Sequence, residues 1–300
     1  MKKHTVENTV ESRSLIASKV NDYGQLVKFK LSLTVVFSAV MAFLIASAGQ
    51  FTWHGLFYLA FGGFLITGAA NTLNQVLERD FDKLMKRTED RPLARARMSV
   101  SEAVLFAGFS SFAGIVFLAL FNPWVPLLGM LSLVSYAFVY TPLKRLSPIA
   151  VLVGAIPGAL PMAIGVVAAQ GEVTGLAIAL FALQFFWQFP HFWAIAWLGH
   201  EDYSRAGFHL LPGKELGSHV GWQAFLYALM IMPVVGLMWG FGLTGSLAAS
   251  LLGLASLAYA HRAWNLYKRC DRNSARGLMF ASLVYLPTVL AILAVEAYVL

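Results

Sequence analysis

The chain has 300 residues, a net charge of +7 and a mean hydropathy of +0.68, and only 12% of its residues are charged. About a quarter of the residues in soluble domains carry charge, so this composition excludes an ordinary soluble protein. The apolar residues come in long blocks, without the alternation that a membrane β-barrel requires. The sequence therefore predicts an all-α polytopic membrane protein. Nucleic acid is not an expected partner, because the positive charge is explained by membrane topology.

The blocks with no charged residue, or with only Glu172 or Glu296, are long enough for nine membrane-spanning helices of roughly 20 residues each. In chain order the predicted spans are Leu31–Ala48, Gly55–Gln75, Val100–Phe121, Trp124–Thr141, Pro148–Ala169, Gly175–Gly199, Val220–Phe241, Leu243–His261 and Leu278–Val299. Prolines inside these spans are expected to kink their helices. They are Pro157, Pro161, Pro190, Pro233 and Pro287.

The 22 lysine and arginine residues fall into five groups, and nine spans would place all five on one side of the membrane. The groups lie within residues 1–30, 79–97, 144–145, 205–214 and 262–276. Because positive loops mark the cytoplasmic side, we expect a cytoplasmic N-terminus and a C-terminus on the opposite side. Residues 1–27 are predicted to form a polar cytoplasmic tail, and residues 28–300 the nine-helix membrane domain. A single cysteine excludes a disulfide framework.

A polar stripe marks the end of the second span. Asn74, Glu78 and Asp82 are four residues apart, so they stack on one helix face, whereas Asp80 points elsewhere. Two carboxylates and an amide offer the oxygen ligands that Mg²⁺ prefers. The cations of residues 83–91 follow at once, and cations beside metal-binding carboxylates suit a diphosphate. The alternative is a solvated loop whose acids pair with neighbouring bases.

Two further groups of polar side chains lie at or within predicted spans. Tyr140 and Lys144 are four residues apart at a helix end, where they either face a phosphate or anchor the helix at the lipid headgroups. Gln188 and His191 flank Pro190 in an apolar span. We expect these two side chains to face a cavity or each other, and the alternative is a buried structural pair.

The stretch from Asn71 to Leu93 resembles the first motif of the UbiA-type intramembrane prenyltransferases. The stretches Tyr140–Arg145, Trp187–Phe192 and Asp202–Gly207 also resemble this family, and in particular its branch that transfers a farnesyl group to haem. The resemblance extends from about Leu26 to the C-terminus. It implies a nine-helix UbiA-type bundle in a bacterial inner membrane, with the active site facing the cytoplasm.

The resemblance also implies a reaction. The expected activity is Mg²⁺-dependent transfer of a farnesyl group from farnesyl diphosphate to a vinyl group of haem B, with addition of water, giving haem O. Haem B and farnesyl diphosphate are then the substrates and Mg²⁺ the cofactor. The expected partners are a haem-oxidising enzyme or assembly factors of a terminal oxidase.

The same resemblance assigns roles by position. The expected catalytic residues are Asn74, Glu78, Asp82 and Asp202, of which Glu78, Asp82 and Asp202 would bind the metal. The expected diphosphate-binding residues are Arg87, Arg91, Lys144, Tyr140, Lys28 and Lys30. Glu78 stands where most of the family has aspartate, and Asp202 is the one clear carboxylate of the second motif. We assign Gln188 and His191 to orienting the haem from their position alone. The rings that would shield an allylic cation are Trp187, Phe189 and Tyr140.

Two other functions fit parts of the pattern. A UbiA-type enzyme acting on an aromatic acid or quinone precursor would carry a second motif with two or more aspartates, which is absent here. A transporter would place ionisable residues near the bilayer midplane and show internal symmetry. The ionisable clusters here lie at one face of the predicted bundle.

Overall fold

A computed structural model describes residues 17–213 and 215–299. Residues 1–16, Lys214 and Leu300 lie outside the described residues, so most of the predicted tail and one predicted loop cation do too. Residues 17–26 are helical. The numbered helices that follow are α1 (Phe29–Ser47), α2 (Trp53–Asp82), α3 (Val100–Ala119), α4 (Trp124–Val134), α5 (Ala150–Gln170), α6 (Gly175–Leu198), α7 (His200–Arg205), α8 (Ser218–Leu229), α9 (Ile231–Gly240), α10 (Ser246–Arg269) and α11 (Arg272–Val299). No strand occurs among the described residues, which confirms the all-α class.

The number of apolar spans differs from the sequence expectation. In the described part of the chain, eight helical segments are long and apolar enough to cross a membrane. The eighth predicted span, Leu243–His261, corresponds to α10, which is 24 residues long but ends in a charged last turn with Lys268 and Arg269. His261 and Arg262 also lie in this helix. These polar residues reduce the apolar character of α10. The predicted span ends at His261 and does not include the others.

Short polar caps begin three of the long helices. The hydroxyl groups of Thr52, Ser99 and Thr174 accept hydrogen bonds from the backbone N–H three residues later, at the starts of α2, α3 and α6. Such caps satisfy N–H groups that have no partner within the helix. Helix α2 extends to Asp82, seven residues beyond its predicted end. The whole Asn74–Asp82 stripe therefore lies on one continuous helix.

Proline divides the predicted seventh span. Helix α8 ends at Leu229 and α9 begins at Ile231, two residues before Pro233. Pro233 has no N–H to donate to the carbonyl four residues earlier, which is Leu229, and its ring crowds that carbonyl. By contrast Pro157, Pro161, Pro190 and Pro287 lie inside uninterrupted helices.

Helix α5 lies at the centre of the bundle. It packs against α1, α4 and α6. In its most apolar stretch 72% of the residues are buried, compared with 28–50% in the other spans. Gly165 permits the contact with α1, because a Cβ at this position would collide with the carbonyl oxygen of Ala39. Helices α6, α11, α10 and α8 continue the packing around the other side. Helix α2 packs mainly against α3 and α1, with its C-terminal end near α4.

Helix α4 continues through a π-helical turn, Ser135–Tyr140, into a short α-helical turn, Thr141–Leu143. A π-turn widens the helix by one residue, and such turns are frequent at functional sites. The amino-acid pattern gives no signal for it. Its consequence is to set the positions of Tyr140, Thr141 and Lys144 at the end of the span.

Candidate active site

The polar stripe of α2 is buried. Asn74, Glu78 and Asp82 expose 1%, 5% and 1% of their surfaces. Asp80 points away from them, with its side chain 60% exposed, and pairs with Lys83 at 2.8 Å. These two acids of the last turn of α2 therefore occupy opposite environments, as the four-residue spacing predicts. A solvated loop does not describe the stripe, because its side chains are shielded from solvent.

Each member of the stripe meets a cation from a different part of the chain. Lys28 Nζ donates to Asn74 Oδ1 at 2.8 Å. The ammonium group of Lys144 forms an ion pair with Glu78. One guanidinium nitrogen of Arg91 donates to both carboxylate oxygens of Asp82, at 2.7 and 2.8 Å.

Three basic side chains face two carboxylates in this cluster. Desolvation by the surrounding protein, together with the nearby Arg91 and Lys144 cations, holds the pKa of the half-buried Lys28 well below its usual range. Neighbouring like charges disfavour the protonated form of an amine, and an added anion would relieve that repulsion. The cluster is thus suited to receive an anionic group.

The end of α4 fixes the position of Lys144. Asn74 Nδ2 donates to Thr141 Oγ1 at 3.1 Å, and Thr141 Oγ1 donates to the carbonyl oxygen of Tyr136 at 2.9 Å. Lys144 Nζ lies 4.9 Å from the centroid of the Tyr140 ring. It lies 5.3 Å from the centroid of the Phe208 ring, which comes from the loop after α7. Cation–π contacts of this kind hold an ammonium group in a partly apolar setting.

The loop after α2 contacts the loop after α7. Arg87 donates to the hydroxyl group of Tyr203 at 3.3 Å, and its guanidinium lies 5.7 Å from the centroid of the Tyr203 ring. Met85 and Phe208 are buried together in a small apolar cluster. Asp202, however, is 3.5 Å from Arg205 in its own helix, and no contact joins it to Glu78 or Asp82.

Among the described residues, no three His, Cys, Asp or Glu side chains converge closely enough to hold a metal ion together. The three predicted metal ligands, Glu78, Asp82 and Asp202, are thus not gathered into one set, and each pairs with a cation. Among the predicted diphosphate ligands, Lys30 and Arg87 are exposed, and Arg87 contacts Tyr203.

The stripe nevertheless fits Mg²⁺ by its chemistry. Glu78 and Asp82 supply two buried carboxylates one helical turn apart, and Asn74 supplies an amide oxygen. Glu78 Oε1 is buried and receives no hydrogen bond, although the Lys144 ammonium lies against it. Mg²⁺ is commonly held by one or two carboxylates, with substrate phosphates and water completing the shell. Two carboxylates are therefore sufficient without Asp202.

Gln188 and His191 are bonded to separate partners within the bundle. Gln188 Nε2 donates to the carbonyl oxygens of Ala155 and Gln184, both at 3.1 Å. His191 Nδ1 lies 2.7 Å from the hydroxyl oxygen of Ser282. They do not bond to each other, because Gln188 faces α5 and His191 faces α11.

The three predicted shielding rings lie in different surroundings. Tyr140 lies beside Lys144, as described above. Trp187 stacks on His191 with ring centroids 5.0 Å apart. Phe189 is 1% exposed and packs against Tyr227 at 4.2 Å between centroids. Of the three, Tyr140 is the ring that contacts the charged cluster.

Two cavities open beside the second loop. One, of about 350 Å³, is lined by His200, Glu201, Arg272 and neighbouring residues of α6, the loop before α8 and the turn between α10 and α11. The other, of about 130 Å³, is lined by Tyr203, Phe208 and neighbouring loop residues. The stripe lines neither of them.

The structure adds residues that the sequence analysis did not assign. Thr141 holds Asn74, and Tyr203 and Phe208 bring the second loop to Arg87 and Lys144. Each lies next to or within a motif already singled out. Their spacing in the sequence, however, carries no sign of these contacts.

Comparison with known proteins agrees with this arrangement. The UbiA prenyltransferase family matches residues 35–284. A protoheme IX farnesyltransferase of Cytophaga hutchinsonii is 43% identical over 276 residues, which cover 91% of this chain and 96% of that protein. A mitochondrial protoheme IX farnesyltransferase of Arabidopsis thaliana is 36% identical over 268 residues, 88% of this chain and 62% of that protein.

Solved structures share the fold at low sequence identity. A digeranylgeranylglyceryl phosphate synthase matches with a TM-score of 0.80 and 17% identity, over 94% of this chain and all of that one. A UbiA homologue from Archaeoglobus fulgidus bound to GPP and Mg²⁺ matches with a TM-score of 0.68 and 16% identity, over 91% of this chain and 99% of that one. The family match, the sequence relatives and the helical membrane fold together show that the chain belongs to the UbiA prenyltransferase family of enzymes, and within it to the protoheme IX farnesyltransferases.

Proposed function

We propose that this protein transfers a farnesyl group from farnesyl diphosphate to a vinyl group of haem B, with addition of water, and so forms haem O. The observation that carries the proposal is the buried Asn74–Glu78–Asp82 stripe faced by three cations. The names of the relatives support haem and a farnesyl donor as substrates. Related folds bound to GPP or DMAPP with Mg²⁺ support a metal-assisted diphosphate site.

The cations Lys28, Arg91 and Lys144 would bind the diphosphate. Arginine suits this role because its planar guanidinium donates two parallel hydrogen bonds to phosphate oxygens. Arg91 and Lys144 now pair with Asp82 and Glu78, so they are already held at the place where the anion would enter. Arg87 would reach the diphosphate from the edge, next to Tyr203.

The carboxylates of Glu78 and Asp82 would hold Mg²⁺, with Asn74 as a further oxygen donor. Asp202, which pairs with Arg205 in α7, would join the site only if it left that ion pair, and the two carboxylates of the stripe suffice without it. When bound, Mg²⁺ neutralises charge that develops on the departing diphosphate, which favours ionisation of the allylic C–O bond. Burial of these side chains excludes water, and electrostatic contacts in such a setting are stronger than in solvent.

The allylic cation would then add to the vinyl carbon, and water would capture the resulting cation with loss of a proton. Tyr140 would shield the allylic cation, and the contact of its ring with the ammonium group of Lys144 supports this role. Gln188 and His191 would orient the porphyrin from α6, near Trp187. These roles agree with the position of α6 next to α5 and α11.

A direct test is to incubate the purified protein in lipid or detergent with haem B, farnesyl diphosphate and Mg²⁺, and to measure the mass of the extracted pigment. We expect a haem with one hydroxyethylfarnesyl group. A parallel reaction contains an aromatic acid as acceptor. A farnesylated aromatic acid together with unmodified haem would overturn the proposal and favour another UbiA-type activity.

We also propose that α10 crosses the membrane as a ninth span, in addition to the eight apolar segments. The N-terminus and the stripe would then face the cytoplasm of a bacterium, with the C-terminus on the other side of the inner membrane. The distribution of the lysine and arginine residues supports this orientation. The ends of α2, α4, α6 and α10 would then lie at the cytoplasmic face.

A further inference from the structure

The segment of residues 17–28, named here the N-terminal strap, is fastened to α2 by two buried amides. Gln75, which is fully buried, donates from Nε2 to the carbonyl oxygens of Gln25 at 3.0 Å and Leu26 at 2.8 Å. Asn71 donates from Nδ2 to the carbonyl oxygen of Val27 at 3.3 Å. Three consecutive backbone carbonyls are therefore bound by side chains of α2, at the point where the strap turns into α1.

That turn holds Lys28 in an unusual backbone conformation. Its φ and ψ angles are 49° and 58°, in the left-handed region that residues with a Cβ seldom adopt. Such a conformation persists only where its surroundings enforce it, and it is concentrated at functional sites. Its result here is that Lys28 Nζ reaches Asn74 Oδ1 at 2.8 Å.

A second set of contacts ties the strap to the loop that carries Arg91. Asp22 is 3% exposed and lies 2.9 Å from Arg97 Nε. Leu26 is fully buried in a small apolar cluster with Leu93, Met98 and Ala103. The strap therefore links Lys28, at its C-terminal end, to the loop from which Arg91 reaches Asp82.

We propose that Gln75 and Asn71 are positioning residues for the diphosphate site, which act through Lys28 without touching the substrate. They hold the strap so that the Lys28 ammonium faces the stripe. The proposal rests on the proposed function, because it assumes that the stripe binds a prenyl diphosphate. It gives a role in substrate binding to two amides that are otherwise buried structural residues.

The test is a double-mutant cycle on the purified full-length protein, read as the affinity for farnesyl diphosphate and for inorganic diphosphate in the presence of Mg²⁺. The variants are Lys28→Met, Gln75→Met and the combination. Methionine approximates the length of each side chain and donates no hydrogen bond. Thr72→Val is the matched control, because Thr72 is equally buried on α2 and bonds only to Gly68 in its own helix.

We expect Lys28→Met and Gln75→Met each to weaken diphosphate binding about tenfold, the scale of one charge-assisted hydrogen bond. The double variant should bind diphosphate with an affinity within about twofold of that of Lys28→Met, because the effects of substituting coupled residues are not additive. Thr72→Val should bind as the wild type does. In turnover assays the KM for farnesyl diphosphate should rise, whereas the KM for haem should not change.

Three results would overturn the proposal. The first is unchanged diphosphate binding in Gln75→Met. The second is a double variant in which the two losses of diphosphate affinity multiply to about a hundredfold. The third is a rise in the KM for haem equal to the rise in the KM for farnesyl diphosphate. Thermal unfolding in the same detergent checks each variant, and if Gln75→Met does not fold, Asn71→Leu replaces it in the cycle. A wild-type protein that binds diphosphate but leaves haem unmodified would contradict the proposed function alone.

Discussion

Asp82 and Asp80 provide the sharpest test of the diphosphate site, because they are two acids of the same helical turn in opposite surroundings. Asp82 is 1% exposed and contacts Arg91 through both carboxylate oxygens. Asp80 is exposed and pairs with Arg79 and Lys83. A general electrostatic or topological role would make the two acids nearly interchangeable.

We expect Asp82→Asn to lower kcat by about 10²-fold or more. Loss of one electrostatic contact to a transition state costs about 10²- to 10³-fold, or about 2.7–4 kcal/mol. The asparagine side chain keeps the size of aspartate and one oxygen that can accept from Arg91, so the fold should be retained. Asp80→Asn should leave kcat within about twofold of the wild type, as substitutions at exposed positions usually do.

The assay measures initial rates of haem farnesylation over a range of Mg²⁺ concentrations, with thermal unfolding as the control for folding. Raised Mg²⁺ should restore part of the activity of Asp82→Asn, because weaker metal binding is offset by mass action. Equal loss in the two variants, or no loss in Asp82→Asn, would refute the placement of the diphosphate on this stripe.

Three further predictions address topology, metal and packing. A reporter fused after Leu300 should lie outside the cytoplasm, and a reporter fused within residues 268–276 should lie inside it. If the reporter after Leu300 is cytoplasmic, the proposed orientation or the number of spans is wrong. Removal of divalent cations by a chelator should abolish farnesyl transfer and added Mg²⁺ should restore it, so activity that persists in chelator would contradict metal dependence. Gly154→Ala should destabilise the protein by about 1–3 kcal/mol and lower kcat, since its Cβ would lie 2.6 Å from Tyr140 Cδ2. Gly108→Ala, which meets no neighbouring atom, should unfold at or slightly above the wild-type temperature, and equal destabilisation of both would count against a specific role for the Tyr140 contact.

Helix termini and interruptions were harder to predict than the helices themselves. The end of α2 at Asp82, the break between α8 and α9 and the π-turn before Thr141 all depend on contacts with other helices or on local backbone geometry. The lower apolar character of α10 comes from its charged end, which lies beyond the end of the predicted eighth span at His261.

Two features of this protein follow from the sequence by itself. Long blocks with almost no charged residues have the length and hydropathy of membrane-spanning helices, so the helical membrane fold follows from the sequence. The stripe of Asn74, Glu78 and Asp82 follows from the period of the α-helix, which is a local property of the backbone. Its burial, and the exposure of Asp80, agree with that period.

Only the tertiary structure decided which groups face the stripe. Lys28 is 46 residues from Asn74 in the chain, and Thr141 is 67 residues from it. Such pairings depend on how α1, α2 and α4 pack, and residue spacing contains no information about the order of helices in a bundle. The same reason explains why Asp202 pairs with Arg205 in its own helix, and why Gln188 and His191 face different helices. Periodicity is fixed within a helix, whereas the meeting of side chains from different helices is fixed by packing.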